Sequence, residues 1–155
     1  MILFRRPSTI ELPAVLDMVF RGVDRSPGRA IYAEAFPAEY RRQCDAVAGH
    51  EGFCIVASKG PKLLGYALFV RQAWTSTTNY ELSSIYVISS VRNQGLGTEL
   101  LRKGLSECLT LGGDSCSVSL GVKRPWLRQF YEAFGFAAVS INMEMRLDER
   151  RDLAS

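Results

Sequence analysis

From Val91 to Leu101 the chain reads VRNQGLGTELL, with Arg92, Gly95 and Gly97 in the spacing R-x-x-G-x-G. Residues of this kind can hold an anion with main-chain atoms alone. The preceding segment, ELSSIYV, alternates like a strand, and the following one, GTELLRKGLSECLTL, has helical spacing. The glycines therefore fall where a strand turns into a helix. The first turn of a helix leaves its N–H groups without intrahelical partners, so the amides of residues 93–98 face whatever lies ahead of the helix. Gly95 and Gly97 remove side chains that would keep a phosphate from those donors, and the helix dipole adds partial positive charge. A pyrophosphate fits such a turn, and so does a bland role in which glycine only lets the helix pack on the strand. Two other phosphate loops are excluded. A Walker loop needs GK[ST] where this chain has GLGTEL, and a dinucleotide fingerprint needs a third glycine and a strand-ending acid where it has Leu100 and Val122.

The elements that must position this turn follow from periodicity. Residues 2–5 read as a short strand, and Ser8 or Thr9 caps a helix carrying Leu12, Val15, Leu16, Val19 and Phe20, with Pro13 in its tolerant first turn. RSPG at 25–28 breaks it. A second helical pattern runs over about 30–47 with a kink near Pro37, before the β-type run FCIVAS. KGPK is a hairpin turn into the strand LLGYALFVR, followed by the polar excursion QAWTSTTN and the strand ELSSIYV. A helix over 97–111, a GGD turn, the strand SCSVSLGV, the helix RPWLRQFYEAF and short strands near 136–139 and 143–147 complete the order, ahead of a polar tail at 148–155. Strands 80–87 and 115–122 flank one helix, which predicts a parallel crossover beside an antiparallel hairpin, hence a mixed sheet of α/β (α+β) class. Ligands in such sheets bind beyond the carboxyl ends of parallel strands, so the loop 88–97 is the expected site.

Composition excludes several classes. A chain of 155 residues suits one domain, 1–155, with one core. Its apolar runs are too short for a membrane helix and charges precede any signal-like stretch, so the expectation is a cytoplasmic protein with no membrane partner. Cys44, Cys54, Cys108 and Cys116 are scattered and His50 is the single histidine, which indicates neither a metal site nor a disulfide framework. The net charge of +3 is spread among interleaved acids, as in RPSTIELPAVLDMVFRGVDR, unlike a nucleic-acid stripe.

The R-x-x-G-x-G turn resembles the pyrophosphate loop of the GNAT superfamily of N-acetyltransferases, of form Q/R-x-x-G-x-G/A. The resemblance covers nearly the whole chain: FRRPSTIELPAVLDM is similar to the family's first strand and helix, GYALFV to its third strand, ELSSIYV to its fourth, and LRQFYEAFGFAAV to its closing helix and turn. The F-Y-x-x-x-G-F stretch from Phe130 to Phe136 is independent of the loop. Membership implies the GNAT acyl-CoA N-acyltransferase fold, a mixed seven-stranded sheet flanked by about four helices, whose fourth and fifth strands splay to admit a pantetheine arm. It implies acetyl-CoA as acetyl donor, a small-molecule or protein amine as acceptor, no metal, and leaves a homodimer open. Main-chain groups of Ile85, Tyr86 and Val87 would meet the pantetheine, and Arg92, Asn93, Gln94, Gly95, Leu96, Gly97 and Thr98 the phosphates. Where the family often has Asn followed by a small residue, this chain has Arg124 and Leu127; Lys123, Arg124 or Arg128 would meet a CoA phosphate or stay solvated.

By the same resemblance Glu81 takes the place of the general base and Tyr131 that of the general acid. A lysine-like amine of pKa about 10.4 is neutral in about one molecule in 2,500 at pH 7, a deficit near 4.6 kcal/mol, so a base assists. A phenol near pKa 10 can protonate a thiolate whose acid is near 8.5. The hydroxyls of Ser83, Ser84, Ser117 and Ser119 could relay protons or simply leave room for strands and cofactor. Residues from about 22–40 and 71–79, with Tyr32, Phe36 and Trp74, should line the acceptor side. The rival expectation is a GNAT-like module that holds acyl-CoA and regulates a partner.

Overall fold

The computed structural model describes residues 1–21, 29–73 and 76–147. The break at 25–28, Trp74 and the tail at 148–155 lie outside the described residues. The chain divides into two units, Met1–Val118 and Ser119–Ser155.

The first unit begins with β1 (Leu3–Arg5), a 3-10 turn (Thr9–Glu11) and α1 (Leu12–Arg21). Ser8 caps this start: the Glu11 carboxylate accepts its backbone N–H at 2.8 Å and its hydroxyl at 3.1 Å. Arg5 donates to both oxygens of Glu11, at 2.7 and 2.9 Å, which ties β1 to the helix entrance. The helical pattern expected over about 30–47 divides into α2 (Arg29–Ala35) and α3 (Pro37–Val47). Phe36 leaves the helical region at φ −133°, as the residue before a proline tends to, and Pro37 opens α3.

β2 (Gly52–Lys59) and β3 (Lys62–Ala73) form the hairpin that KGPK predicts, with Lys59 opposite Lys62. β4 (Thr78–Val87), a 3-10 turn (Ser89–Val91), α4 (Leu96–Thr110) and β5 (Ser115–Ser117) complete the unit. The sheet order is β1-β2-β3-β4-β5, with β4 and β5 parallel and all other pairs antiparallel, so it is mixed as expected. β2 is a continuous apolar run because both of its faces are covered. Cys54, Val56, Tyr66, Leu68 and Val70 face a core with Val15, Val19, Phe20, Ala46 and Val47. On the other face Phe53 stacks on Phe69 at 4.9 Å and meets Tyr80 at 5.6 Å. α4 lies against this face, and a Cβ on Gly104 would fall 2.2 Å from the Phe69 ring, so only glycine lets the helix approach so closely.

The expected count of seven strands is corrected to five among the described residues. The strand expected over 115–122 is limited to Ser115–Ser117. Residues 136–139 and 143–147 form no strand, and Val139, Ile141 and Met143 are exposed. Alternating polarity over 139–147 suits a sheet, but a strand exists only where a ladder partner accepts its hydrogen bonds.

The second unit contains α5 (Pro125–Phe134), opened by Pro125 and ended by Gly135 in the left-handed region at φ +105°. Phe136 N–H donates to the Tyr131 carbonyl at 3.2 Å and Gly135 N–H to the Glu132 carbonyl at 3.0 Å, the paired bonds of a Schellman cap. The hydrophobic contact of that cap is the edge-on pair Tyr131–Phe136, with ring centroids 5.5 Å apart. The F-Y-x-x-x-G-F stretch is thus a helix-stop signal that holds Tyr131 in place.

Candidate active site

β4 is held to β5 over three residue pairs only, Asn79↔Ser115, Tyr80↔Cys116 and Glu81↔Ser117. A polar clamp closes this end. The buried Asn79 side chain donates to the Ser115 hydroxyl at 2.8 Å and accepts from the Ser117 hydroxyl at 3.0 Å, while the Asp114 carboxylate accepts Thr78 N–H at 2.7 Å. Beyond Glu81 the same edge of β4 has no strand partner among the described residues, although β3 still pairs with it as far as Val87. Alternate residues of an antiparallel strand direct their main-chain groups away from the partner, so those of 82–87 that face away from β3 lie along this edge, where the Val87 carbonyl is already taken by Arg92.

A bulge lies in the middle of it. Leu68 is opposite Ser84 and Phe69 opposite Leu82, which leaves Ser83 as the extra residue on β4. Its hydroxyl accepts from the Gln43 amide at 2.8 Å, and the Ser84 hydroxyl accepts from the Tyr66 phenol at 3.1 Å. Burial pushes the Tyr66 phenol up to about 12, against the lowering effect of that hydrogen bond.

The free edge leads into the glycine turn. Asn93 and Gly95 both take positive φ, 65° and 80°, and Gly95 serves as the N-cap of α4 without a side-chain cap. Left-handed residues alternating with ordinary ones turn successive N–H groups inward, a main-chain nest suited to an anion. A Cβ at Gly95 or Gly97 would meet no atom within 4 Å, so the space ahead of both is open. Leu96 is buried beneath the turn and anchors it, whereas Asn93, Gln94 and Gly95 are exposed and Thr98 is half-buried. These residues fit a pyrophosphate. Arg92 turns back instead: its Nε donates to the Val87 carbonyl at 2.9 Å and its guanidinium lies 5.5 Å over the Tyr86 ring. It fastens the loop to the end of β4. Ile85, Tyr86 and Val87 are half-buried along the free edge.

Glu81 stands where β5 leaves β4, with 29% of its side chain exposed. Gln72 donates to its Oε2 at 3.3 Å, and Arg42 lies 3.7 Å from its Oε1. Arg42 also meets both oxygens of Glu39 at 3.3 and 3.4 Å, and the buried Gln43 donates to Glu39 at 2.7 Å. Sequence reasoning missed Arg42, Gln43 and the bulge at Ser83, and Gln72 falls within the 71–79 segment expected to line the acceptor side. Glu39 falls within the 22–40 segment expected to line the acceptor side, but nothing singled it out. Tyr131 is the buried residue of α5 and belongs to the second unit. Lys123, Arg124 and Arg128 are exposed around the start of that helix, and Arg128 pairs with Glu132 at 3.2 Å. Among the described residues no helix is long and apolar enough to cross a membrane, and no group of three His, Cys, Asp or Glu is arranged to hold a metal.

The model of the acetyltransferase (GNAT) family matches residues 21–136. No protein of curated function matches the sequence. Among solved structures, the fold is similar to that of a transcriptional regulator from Bacillus halodurans C-125, with TM-score 0.71 and 19% identity over 94% of this chain and 99% of that one. It is similar to aminoglycoside N-acetyltransferase AAC(6')-Iy in complex with CoA, with TM-score 0.72 and 13% identity over 94% of each chain. It is also similar to glucosamine-6-phosphate N-acetyltransferase from Arabidopsis thaliana, with TM-score 0.65 and 15% identity over 94% of this chain and 98% of that one. Those identities speak for the fold alone, a mixed sheet with flanking helices. With that fold and with a family match spanning the fourth strand, the glycine turn and the closing helix, the chain belongs to the GNAT family of acetyltransferases.

Proposed function

We propose that the protein is an acetyl-CoA-dependent N-acetyltransferase, acting in the cytoplasm as one domain over 1–155, in which a primary amine attacks the thioester directly. The observation that carries this reading is the half-partnered fourth strand. Its free edge, 82–87, runs from Glu81 into the open glycine turn, so a main-chain groove and an anion nest are continuous. Acetyl-CoA supplies, when bound, an acetyl group activated as a thioester. The amides of 93–98 hold the pyrophosphate, and the main chain of Ile85, Tyr86 and Val87 meets the pantetheine amides. A backbone N–H of β4 near the bulge faces the oxygen on which negative charge develops. Glu81, oriented by Gln72 and Arg42, takes the proton of the amine directly or through a water, and the Tyr131 phenol donates to the departing sulfur.

Calorimetric titration with acetyl-CoA, followed by a thiol-release assay over pools of amines, tests the proposal. Release that needs both acetyl-CoA and an amine supports it. Binding without release from any pool would leave the acyl-CoA-binding module instead, and absence of binding would defeat both.

A further inference from the structure

The residues gathered around Glu81 narrow the acceptor class. We infer, on the basis of the acetyl-transfer reading above, that the acceptor is a primary amine joined to an apolar, ring-sized group and carrying no carboxylate beside the amine. Phe36, at the N-cap of α3, and Glu39 and Arg42 on α3 determine this specificity.

Charge is the first consideration. Glu39 and Glu81 share the single guanidinium of Arg42, so two carboxylates and one cation leave the cluster at −1. An arriving ammonium neutralises it, and a carboxylate is repelled. Arg42 is not held in reserve for an acceptor carboxylate, because Nη1 faces both oxygens of Glu39 and Nη2 faces Glu81. The side chains of Glu39, Arg42 and Glu81 are 39%, 35% and 29% exposed, so solvent and a ligand can reach them.

What borders these charges along α3 is aromatic. Phe36, 58% exposed, is the N-cap of α3, three residues before Glu39 and seven before Gln43. Behind Phe36 stands Tyr32 at 5.3 Å, then Phe20 at 5.1 Å from Tyr32 and Tyr40 at 5.0 Å from Phe20. Burial, and then the Glu39 carboxylate, raise the Tyr32 phenol above its ordinary value. An arylalkyl group can stack on these rings, a contact that the slender chain of a polyamine makes over less area. The buried Gln43 fixes the arrangement, since its amide nitrogen donates to Glu39 at 2.7 Å and to Ser83 at the β4 bulge at 2.8 Å.

Thiol release by the full chain with 2-phenylethylamine, phenylalanine and spermidine, at saturating acetyl-CoA, tests the inference. The expected kcat/KM for 2-phenylethylamine exceeds the other two by at least about tenfold, the ratio that 1.4 kcal/mol of differential binding gives. Glu39→Gln, which takes the cluster from −1 to 0, should narrow the ratio of 2-phenylethylamine to phenylalanine severalfold, with the change carried in KM. Phe36→Ala, at an exposed position, should raise KM for 2-phenylethylamine while moving KM for propylamine little. A structural role alone would change all acceptors together. Preference for phenylalanine or spermidine, or a ratio unmoved in both variants, overturns the acceptor class while leaving acetyl transfer standing. Acetyl-CoA binding with no release from any amine overturns the transfer reading and this inference with it.

Discussion

Gln43 Nε2 lies 2.8 Å from Ser83 Oγ, a hydrogen bond between residues 40 positions apart that joins α3 to the one extra residue of β4. The same nitrogen lies 2.7 Å from Glu39 Oε1, so one buried amide sets the spacing between the acceptor helix and the bulged strand. Gln43→Ala removes both donations and leaves the half-buried Ser83 hydroxyl and the Glu39 carboxylate short of a donor. Denaturant unfolding should show a loss of about 1–3 kcal/mol. A stability equal to that of the parent protein would mean that water replaces the amide without cost.

Gly97 and Gly95 separate binding from folding. Gly97→Val places a branched side chain where a Cβ meets no protein atom within 4 Å, so the melting temperature should stay near that of the parent protein. Acetyl-CoA affinity by calorimetry should fall more than about tenfold, because the side chain fills the space ahead of the helix N–H groups. Gly95→Ala forces an L side chain to φ +80° and should instead cost about 1–2 kcal/mol of stability. Unchanged affinity in Gly97→Val would remove the turn from the binding site.

Tyr131→Phe keeps the ring that meets Phe136 at 5.5 Å and the main-chain bonds of the helix cap. The phenolic hydroxyl is what is lost. Turnover should drop by about 10² or more with acetyl-CoA affinity close to the parent's. A parallel fall in affinity would assign the phenol to holding the cofactor.

Glu81→Gln keeps shape and hydrogen-bonding capacity beside Gln72 and Arg42 but cannot accept the amine proton. At neutral pH kcat/KM should fall by about 10² to 10⁴, and the deficit should shrink as pH rises toward an amine pKa of about 10.4, where solvent has already supplied the free base. A uniform loss at every pH, carried in the amine KM, would assign Glu81 to orienting a cationic acceptor.

The Arg5–Glu11 pair predicts how stability responds to acid. Hydrogen bonds from the Arg5 guanidinium and then from Ser8 N–H hold Glu11 down from 4.5 to about 2. Because the folded-state value is depressed, the contribution is present above the ordinary value of 4.5 and is lost as pH falls toward 2. Thermal melts of Glu11→Gln should therefore lie below the parent protein at pH 7, with the two curves converging toward pH 2. A constant gap across that window would mean that the carboxylate's charge is not what stabilises the helix entrance.

Where interactions are local, the sequence alone determined the outcome. Glycines between an alternating run and a helical run mark a strand-to-helix turn, since positive φ at Gly95 and the free amides of a first helical turn depend only on neighbours a few residues away. The KGPK hairpin, the interruption at Phe36 and Pro37 and the stop at Gly135 are of the same kind, and Glu81 and the glycine turn share one strand and its exit. Tertiary structure decided the rest because those features are pairings between distant segments. The bulge at Ser83 arises from how β3 and β4 register against two covered faces, which no single strand encodes. Residues 139–147 alternate as a strand should, yet form none among the described residues, because a ladder needs a partner as well as a pattern. Arg42 and Gln43 read as ordinary polar residues of an amphipathic helix. Only packing of α3 against the sheet brings them to Glu81 and Ser83, converting a helix face into a wall of the site through contacts across some forty residues of chain.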